Sequence, residues 1–143
     1  MDQSTRILNI SEGLSIAIHT LNALMTLNAE KLTATQIAKI TGFSPNHISK
    51  VMRKLVKAEI ICADIGANGG FSISKKQLSI SLMKVYEAIE GSLKINDCLY
   101  KSPLCDCSNC IFKGIIKNVN KEFANFLNTT KIKNLNTKIR KAV

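Results

Sequence analysis

The sequence predicts a mainly α-helical protein with a small β wing, that is, a winged helix-turn-helix followed by a long C-terminal helix. Three observations predict this fold class. Two short helical segments are separated by Gly42, a glycine-rich hairpin follows them directly, and a long amphipathic segment lies near the C-terminus. The chain has 143 residues, of which 45% are hydrophobic. It is therefore long enough and apolar enough to bury one compact core.

The first two helices follow from the spacing of apolar residues. Residues 10–28 predict a helix, because its apolar residues recur at intervals of three and four and so share one face. That stripe consists of Ile10, Leu14, Ala17, Ile18, Leu21, Leu24 and Met25. Residues 35–41 predict a shorter helix with Thr33 or Thr35 as its N-cap. Gly42 ends it.

A third helix is predicted from Pro45 to about Ala58. Ser44 can cap its N-terminus, and proline is favoured at the first helical position because the N–H that it lacks would be unpaired there. The buried side is expected to contain Ile48, Val51, Met52 and Leu55. Two short helices joined by a tight turn with glycine are typical of the helix-turn-helix, in which this third helix is the recognition helix.

A β-hairpin and a fourth helix are predicted next. Residues 60–65 and 71–74 are predicted to be strands, and the glycine-rich run 66–70 between them is predicted to be the hairpin tip. A hairpin directly after a helix-turn-helix is a wing. Cys62, on the first strand, is interpreted as a small core residue. Residues 79–90 predict a helix that Gly91 ends as its C-cap.

The C-terminal third is divided into a loop and a long helix. Residues 92–110 are predicted to be a cysteine-containing loop, and residues 111–127 predict a helix with a marked apolar stripe. The stripe consists of Phe112, Ile116, Val119, Phe123 and Leu127. It is larger than a lone terminal helix can hide, so the segment is interpreted as a dimerisation helix. Ile132, Leu135 and Ile139 predict a further short helix. The organisation is therefore a winged domain 1–91, a loop 92–110, and a dimerisation helix with a basic tail 111–143.

The charge distribution favours a polyanionic partner. The formal net charge is +10, and residues 31–58 contain six basic side chains and no acidic one. A second basic zone covers residues 111–143, where eight basic residues accompany Glu122 alone. Nucleic acid or an anionic membrane surface would suit this charge. No apolar run has the ~18 residues of a membrane span, and the first residues lack the apolar region of a signal peptide. A cytoplasmic protein with no membrane partner is expected.

On this fold, double-stranded DNA is the expected partner. The first residues of a recognition helix reach base edges, cations farther along contact phosphates, and the wing approaches the minor groove. The predicted DNA-binding residues are Ser44, Pro45, Asn46, His47, Ser49, Lys50, Arg53, Lys54, Asn68 and Gly69. Two alternatives are a merely solvated basic helix face and a winged helix that binds protein. The sequence lacks a phosphate-binding loop, a dinucleotide fingerprint and a nucleophile–base pair, so no enzyme is predicted.

The cysteines predict a metal or redox site. Four of the five, Cys98, Cys105, Cys107 and Cys110, lie within thirteen residues in the pattern C-x6-C-x-C-x2-C. In a reducing compartment such clustering indicates metal binding or redox chemistry rather than disulfides. Thiolates bind zinc or the iron of an iron–sulfur cluster, and the spacing does not distinguish the two.

Several motifs together resemble the Rrf-two family of winged-helix regulators, of the iron–sulfur IscR and nitric-oxide-sensing NsrR type. The resemblance rests on SPNHI at 44–48, LVKAEII at 55–61, GANGGF at 66–71, VYEAIEG at 85–91 and the cysteine loop, in that order. The wing departs from the family pattern, because Ile65 stands where the family has arginine. Such a resemblance implies a homodimeric transcriptional regulator, most often a repressor, that binds a pseudo-palindromic operator.

The resemblance also implies an iron–sulfur cluster, [2Fe–2S] or [4Fe–4S], whose loss or nitrosylation changes operator affinity. Cys98 matches the first ligand position, and Cys105 and Cys110 match the second and third best, although Cys107 could replace either. In some relatives an acidic residue from the first helix of the other subunit is the fourth ligand, and Glu12 lies near that position. Equally, Glu12 could be a solvated first-turn glutamate that interacts favourably with the helix dipole. A structural zinc or a thiol-only cysteine site is the alternative to the cluster.

Overall fold

The structure, a computed structural model, describes residues 10–27, 30–95, 98 and 108–135. Within these residues the chain forms five α-helices and one two-stranded antiparallel sheet. The helices are α1 (Glu12–Thr26), α2 (Ala34–Thr41), α3 (Pro45–Lys57), α4 (Leu82–Glu90) and α5 (Lys113–Thr129). The strands are β1 (Cys62–Asp64) and β2 (Gly70–Ser72). This is the predicted fold class, with helix boundaries within three residues of those expected.

One core joins α1, α3 and α4. Each helix contributes one apolar face, as the three- and four-residue spacings predict. The fully buried side chains include Ile16 and Leu21 of α1, Ile48, Met52 and Leu55 of α3, and Val85 of α4. Ile60 and Ile61, expected on the first strand, instead belong to this core as the link between α3 and the wing.

The helix-turn-helix is formed by local capping signals. Thr33, one of the two predicted candidates, is the N-cap of α2, and it exchanges side-chain and backbone hydrogen bonds with Gln36 in a capping box. Gly42 ends α2 with φ +78°, a left-handed conformation that favours glycine. Ser44 then caps α3 by accepting a hydrogen bond from His47 N at 3.3 Å, with Pro45 at the first helical position. These signals fix the short turn between the two helices.

The wing is shorter than predicted and projects from the core. β1 and β2 pair with Cys62 opposite Ser72 and Asp64 opposite Gly70. Leu32, just before α2, extends this sheet by two 2.9 Å backbone hydrogen bonds with Phe71. The interpretation of Cys62 as a core residue is wrong, because all three residues of β1 are exposed. The core ends at Ile61, and the next residue already lies on the projecting hairpin.

The chain returns to the winged domain after α5. Leu82 N donates to Thr130 O and Ile132 N donates to Ile80 O, both at 2.9 Å. Leu127 and Ile132 are buried in the same core as α1, α3 and α4. Ile132–Asn134 forms a single 3₁₀ turn, whereas Ile139 of the predicted tail helix lies outside the described residues. A second 3₁₀ turn, Gln77–Ser79, occupies the predicted start of the fourth helix, which begins only at Leu82.

The predicted apolar stripe of α5 is only partly available to a second chain. Ile116 and Leu127 are buried within the chain, and the ring of Phe123 packs edge-on against Tyr86 of α4 at 5.9 Å between centroids. These three residues therefore pack within their own chain, and the interpretation of the segment as a dimerisation helix stays a prediction that depends on its other residues. An adjacent face of the segment carries Ile111, Phe112, Ile115 and Phe126, all more than half exposed.

No helix within the described residues combines the length and hydropathy that crossing a membrane requires.

Candidate nucleic-acid interface and cysteine loop

The recognition helix α3 has one buried face and one basic face. Its buried residues are the four predicted, Ile48, Val51, Met52 and Leu55. The predicted DNA-binding residues that are exposed are Ser44, Pro45, Asn46, His47, Lys50, Arg53, Lys54 and Asn68. Ser49 and Gly69 are half-buried. The structure thus brings the predicted α3 residues together on the solvent side of one helix, where they can contact a major groove.

The basic side chains of α3 have different contacts. Arg53 Nε donates to Ser49 O in the preceding turn at 3.3 Å, which keeps the guanidinium along the helix surface. Lys54 Nζ instead donates to Ile89 O, at the end of α4, at 3.1 Å. In the part of the chain that the structure describes, neither Lys50 nor Arg53 is paired with a carboxylate. These two cations are therefore suited to phosphate contacts, which position a protein on DNA.

The wing presents a turn with little charge. Asp64 is the only charged residue between Cys62 and Ser72, and Lys31 pairs with it at 2.5 Å. The hydrogen bond to Asp64, and then its charge, raise the pKa of Lys31 above the ordinary value of 10.5. Ile65, at the position of the family arginine, is fully exposed. Gly69 is required at the tip, since a Cβ there would lie 2.5 Å from Asp64 O. The wing can approach a groove closely but adds no cation of its own.

Glu12 lies in the first turn of α1, beside the recognition helix. Its Oε1 is 3.8 Å from His47 Nδ1, and both side chains are more than half exposed. The sequence indicates Glu12 as a candidate cluster ligand and His47 as a candidate DNA contact. The fold places them together. Glu12 therefore has a partner at the N-terminal end of α3 within its own chain.

The structure describes two of the four candidate cysteine ligands. Cys98 and Cys110 are half-buried, while Cys105 and Cys107 lie outside the described residues. Within the part of the chain that is described, no three His, Cys, Asp or Glu side chains converge on a metal position. The donor set itself fits the implied cluster, since iron–sulfur clusters are held by cysteine thiolates, and it fits zinc equally well.

Three contacts at the start of α1 and the end of α4 were not predicted. Ser11 N and Oγ both donate to Glu90 Oε1, with the Ser11 N–Glu90 Oε1 distance 3.1 Å. The other two are the Lys54–Ile89 and Glu12–His47 contacts. The only sequence signal was the position of Glu90, directly before the C-cap Gly91 and hence beside the cysteine loop. Its partner is 79 residues away, and sequence periodicity says nothing about such pairs.

These features define a class of protein, the winged helix-turn-helix DNA-binding regulators. The sequence profile described as "Rrf2: Iron-dependent Transcriptional regulator" matches residues 10–138. The chain therefore belongs to the Rrf2 family, the Rrf-two family that its motifs resemble, and is a DNA-binding transcriptional regulator of that type. The expectation that it is not an enzyme is confirmed by this membership.

Individual relatives agree with the family assignment. The Bacillus subtilis protein YwgB, assigned as an HTH-type transcriptional regulator, is 28% identical over 123 residues, which are 84% of this chain and 79% of YwgB. CymR (YrzC), the global cysteine regulator of B. subtilis, has the same fold, with a TM-score of 0.71 at 16% identity over 90% of this chain and 95% of CymR. IscR of T. potens has a TM-score of 0.64 at 19% identity over 87% of this chain and 83% of IscR.

Proposed function

We propose that this chain is a cytoplasmic, homodimeric transcriptional repressor whose operator affinity is set by an iron–sulfur cluster on the cysteine loop. The observation that carries the proposal is the clustering of four cysteines within thirteen residues, in a chain with five. The family is described as iron-dependent, which supports iron rather than another metal. The half-buried positions of Cys98 and Cys110 are compatible with ligands partly shielded from water.

Operator binding is assigned to α3 and the wing. Asn46 and His47, at the exposed N-terminal end of α3, have donors and acceptors suited to base edges in the major groove. Lys50 and Arg53, one turn farther along, neutralise phosphates and supply affinity that depends on salt concentration. The wing turn, with Asn68 at its tip, lies along the minor groove. Sequence preference therefore comes from two or three residues, and most of the affinity from the cations.

The cysteine loop is assigned to cluster binding. Cys98, Cys105 and Cys110 would hold the cluster, with Cys107 as a replacement for either of the last two and Glu12 of the partner subunit as the fourth ligand. When bound, an iron–sulfur cluster supplies redox chemistry and reactivity toward nitric oxide. The loop must adopt different structures with and without the cluster, because a ligand shifts a conformational equilibrium only when it binds one state more tightly than the other. A nearly complete switch requires the cluster to favour one state by a binding free energy of about 5 kcal/mol.

A homodimer is proposed on the exposed face of α5. Phe112, Ile115, Val119 and Phe126 recur at intervals of three, four and seven residues, so they share one face of the helix. Phe112, Ile115 and Phe126 are 51%, 62% and 52% exposed, which is unusual for three large apolar residues on one helix face. A second copy of the same face would cover them by a two-fold axis, which also suits a pseudo-palindromic operator.

The second candidate is a regulator of the same fold with a structural zinc or a thiol-only site. It is favoured by the extra cysteine in the C-x-C pair, because four thiolates complete a tetrahedral zinc site. A zinc site would not respond to nitric oxide or mild oxidants while its thiolates stay ligated.

Anaerobic purification with ultraviolet–visible spectroscopy and iron, sulfide and zinc analysis tests the proposal. Brown protein with iron matching sulfide is expected, and serine variants of each loop cysteine together with Glu12→Gln would then assign the ligands. Colourless protein with one zinc per chain would overturn the cluster and support the second candidate. Colourless protein without metal would leave only thiol chemistry on the loop.

A further inference from the structure

Three helix segments meet at one place beside the cysteine loop. The start of α1, one side of α3 and the last turn of α4 contact one another there, and Gly91 follows at once. This helix junction consists of Ser11, Glu12, Gly13, His47, Val51, Lys54, Ile89 and Glu90. It is the place where the loop, which begins at residue 92, is connected to the recognition helix.

Glu90 joins the end of α4 to the start of α1. Its Oε1 accepts hydrogen bonds from both the backbone N–H and the hydroxyl of Ser11. Ser11 is the N-cap of α1, and its Oγ also accepts from Leu14 N at 3.1 Å. Two hydrogen bonds to one side-chain oxygen fix the Ser11 cap relative to α4, an attachment that alanine at residue 90 could not make. The position of α1 therefore depends on the last residue of α4.

Lys54 joins α4 to the recognition helix. Its Nζ donates to Ile89 O, one of the carbonyls at the C-terminal end of α4, where a cation is also favoured by the helix dipole. The backbone of α1 lies close to the same residue of α4, because a Cβ on Gly13 would lie 3.2 Å from the Ile89 side chain and 3.9 Å from that of Val51. The last turn of α4 thus touches both α1 and α3.

The N-terminal end of α3 has a separate link to α1. Glu12 follows Ser11 directly, and its carboxylate lies 3.8 Å from His47. A shift of Glu90 would move Ser11 and Glu12 together, and through them the first turn of α3, while Lys54 acts three residues before the end of that helix. The recognition helix is therefore attached at two points to the turn that leads into the cysteine loop.

We propose that Glu90 and Lys54 are positioning residues that couple the state of the cysteine loop to the orientation of the recognition helix. This inference rests on the proposed function, since the cluster is the input that the junction transmits. Neither residue is a cluster ligand. Lys54, which the sequence indicated as a phosphate contact, acts here through a backbone carbonyl of α4. Coupling of this kind changes the ratio of two affinities rather than either affinity alone.

The test measures operator binding by the full-length protein with and without its cluster. The variants are Lys54→Met and Glu90→Ala, and the readout is the ratio of the two dissociation constants. Couplings between sites are typically about 5- to 150-fold, so the ratio is expected to fall at least about fivefold toward one. The visible spectrum should stay unchanged, because the cluster is still bound.

Two matched variants provide the control. Lys57→Met removes the same charge from an exposed position on α3, and Glu90→Gln keeps an oxygen that can accept both Ser11 hydrogen bonds. Both should keep the wild-type ratio. The inference is overturned if Lys54→Met and Glu90→Ala also keep that ratio, or if Lys57→Met lowers it equally.

A second readout separates this inference from the proposed function. If the wild-type protein carries no cluster, or the cluster leaves its DNA affinity unchanged, the proposed function fails, and the junction is tested by amide hydrogen exchange in the metal-free protein. The amides of Leu14, Ser15, His47 and Ile48, which are hydrogen-bonded to the two serine caps, should exchange at least about fivefold faster in Glu90→Ala than in Glu90→Gln, since local opening determines protection. Equal exchange in the two variants would overturn the junction itself.

Discussion

Tyr86 lies where α4 packs against α5, and its surroundings favour the neutral phenol. The side chain is buried, with the ring of Phe123 edge-on at an interplanar angle of 82°. Burial raises the pKa of Tyr86 above its ordinary value of 10.0, and the nearby Glu90 carboxylate raises it further. Both effects act against the phenolate because a charge is costly away from water and beside a like charge.

A pH dependence of stability follows from this raised pKa. Above pH 10.0 Tyr86 ionises in the unfolded chain but stays neutral in the folded chain, so ionisation stabilises the unfolded state relative to the folded state. The contribution of Tyr86 to stability is fully present below pH 10.0 and is lost as the pH rises through the folded value. The loss in unfolding free energy between pH 9 and pH 11, from urea denaturation, should be smaller in Tyr86→Phe. Equal losses in the two proteins would contradict this account.

Residues whose roles depend on near neighbours could be predicted from sequence, and residues whose roles depend on distant ones could not. Ser44 and Pro45 start α3 as predicted, because a cap acts on backbone groups within three residues. Cys62 was placed wrongly, since the position at which the hairpin leaves the core depends on how Ile60 and Ile61 pack. The pairing of Glu12 with His47 joins residues 35 positions apart. Only the packing of α1 on α3 brings them together.

At the scale of single elements, α2 depends on one capping box. Thr33→Ala removes the hydroxyl that accepts from Gln36 N at 3.2 Å and should lower the unfolding free energy by about 1 kcal/mol. Thr35→Ala is the matched control, because Thr35 is an exposed residue inside α2, where alanine is the better helix former. The control should be neutral or slightly stabilising in urea denaturation. Equal destabilisation by both changes would show that the cap does not determine the stability of α2.

Two substitutions in the recognition helix should change DNA affinity and sequence preference separately. Lys50→Ala removes an exposed cation and should weaken binding to all DNA sequences, lowering the slope of log K against log salt by about one. Asn46→Ala should leave that slope unchanged and relax preference at one base pair, at a cost of about 1–3 kcal/mol on the preferred operator. Titrations of operator and non-operator duplexes at several salt concentrations measure both quantities.

Lys133→Ala is the control for these changes, since it removes one charge from the C-terminal 3₁₀ turn rather than from α3. A slope that falls equally in Lys133→Ala would mean that net charge, not the helix face, determines affinity. An unchanged slope in Lys50→Ala would exclude a phosphate contact there.

The sequence predicted the helices that have one apolar face, but it did not predict the elements whose position depends on backbone pairing. Helices α1 to α5 follow three- and four-residue periodicities that burial on one core requires. The 3₁₀ turn Gln77–Ser79 and the bridge between Ser81 and Lys131 have no periodic signal. The turn is closed by local hydrogen bonds such as Ile80 N to Gln77 O, whereas the bridge forms only because the chain after α5 returns to the start of α4.

For the whole molecule, the return of the chain after α5 determines which surface can join two copies. Leu127 and Ile132 belong to the core of their own chain, so α5 is attached to the winged domain rather than free to exchange partners. Its neighbouring face, with Ile115 and Phe126 exposed, remains for a second copy. A dimer built on this face would fix the distance between two recognition helices, because each α5 is rigidly attached to its own α4 and α3.

A charge on that face should therefore separate the dimer without unfolding the chain. Ile115→Lys and Phe126→Lys place an ammonium where the proposed interface excludes water, which is costly for an unpaired charge. Light scattering is expected to give the mass of one chain for the variants and of two for the wild type. Ile111→Lys, at the start of the same segment and 83% exposed, should weaken the dimer less.

DNA binding should weaken with the dimer, because a monomer contacts one half-site and loses the gain from two linked contacts, typically about 10²- to 10⁴-fold. Leu127→Lys is the contrasting change, since Leu127 is 5% exposed and its substitution should unfold the chain rather than divide the dimer. A dimeric Ile115→Lys protein with wild-type operator affinity would exclude this face. The two copies would then have to meet elsewhere, and the spacing of their recognition helices would no longer be determined by α5.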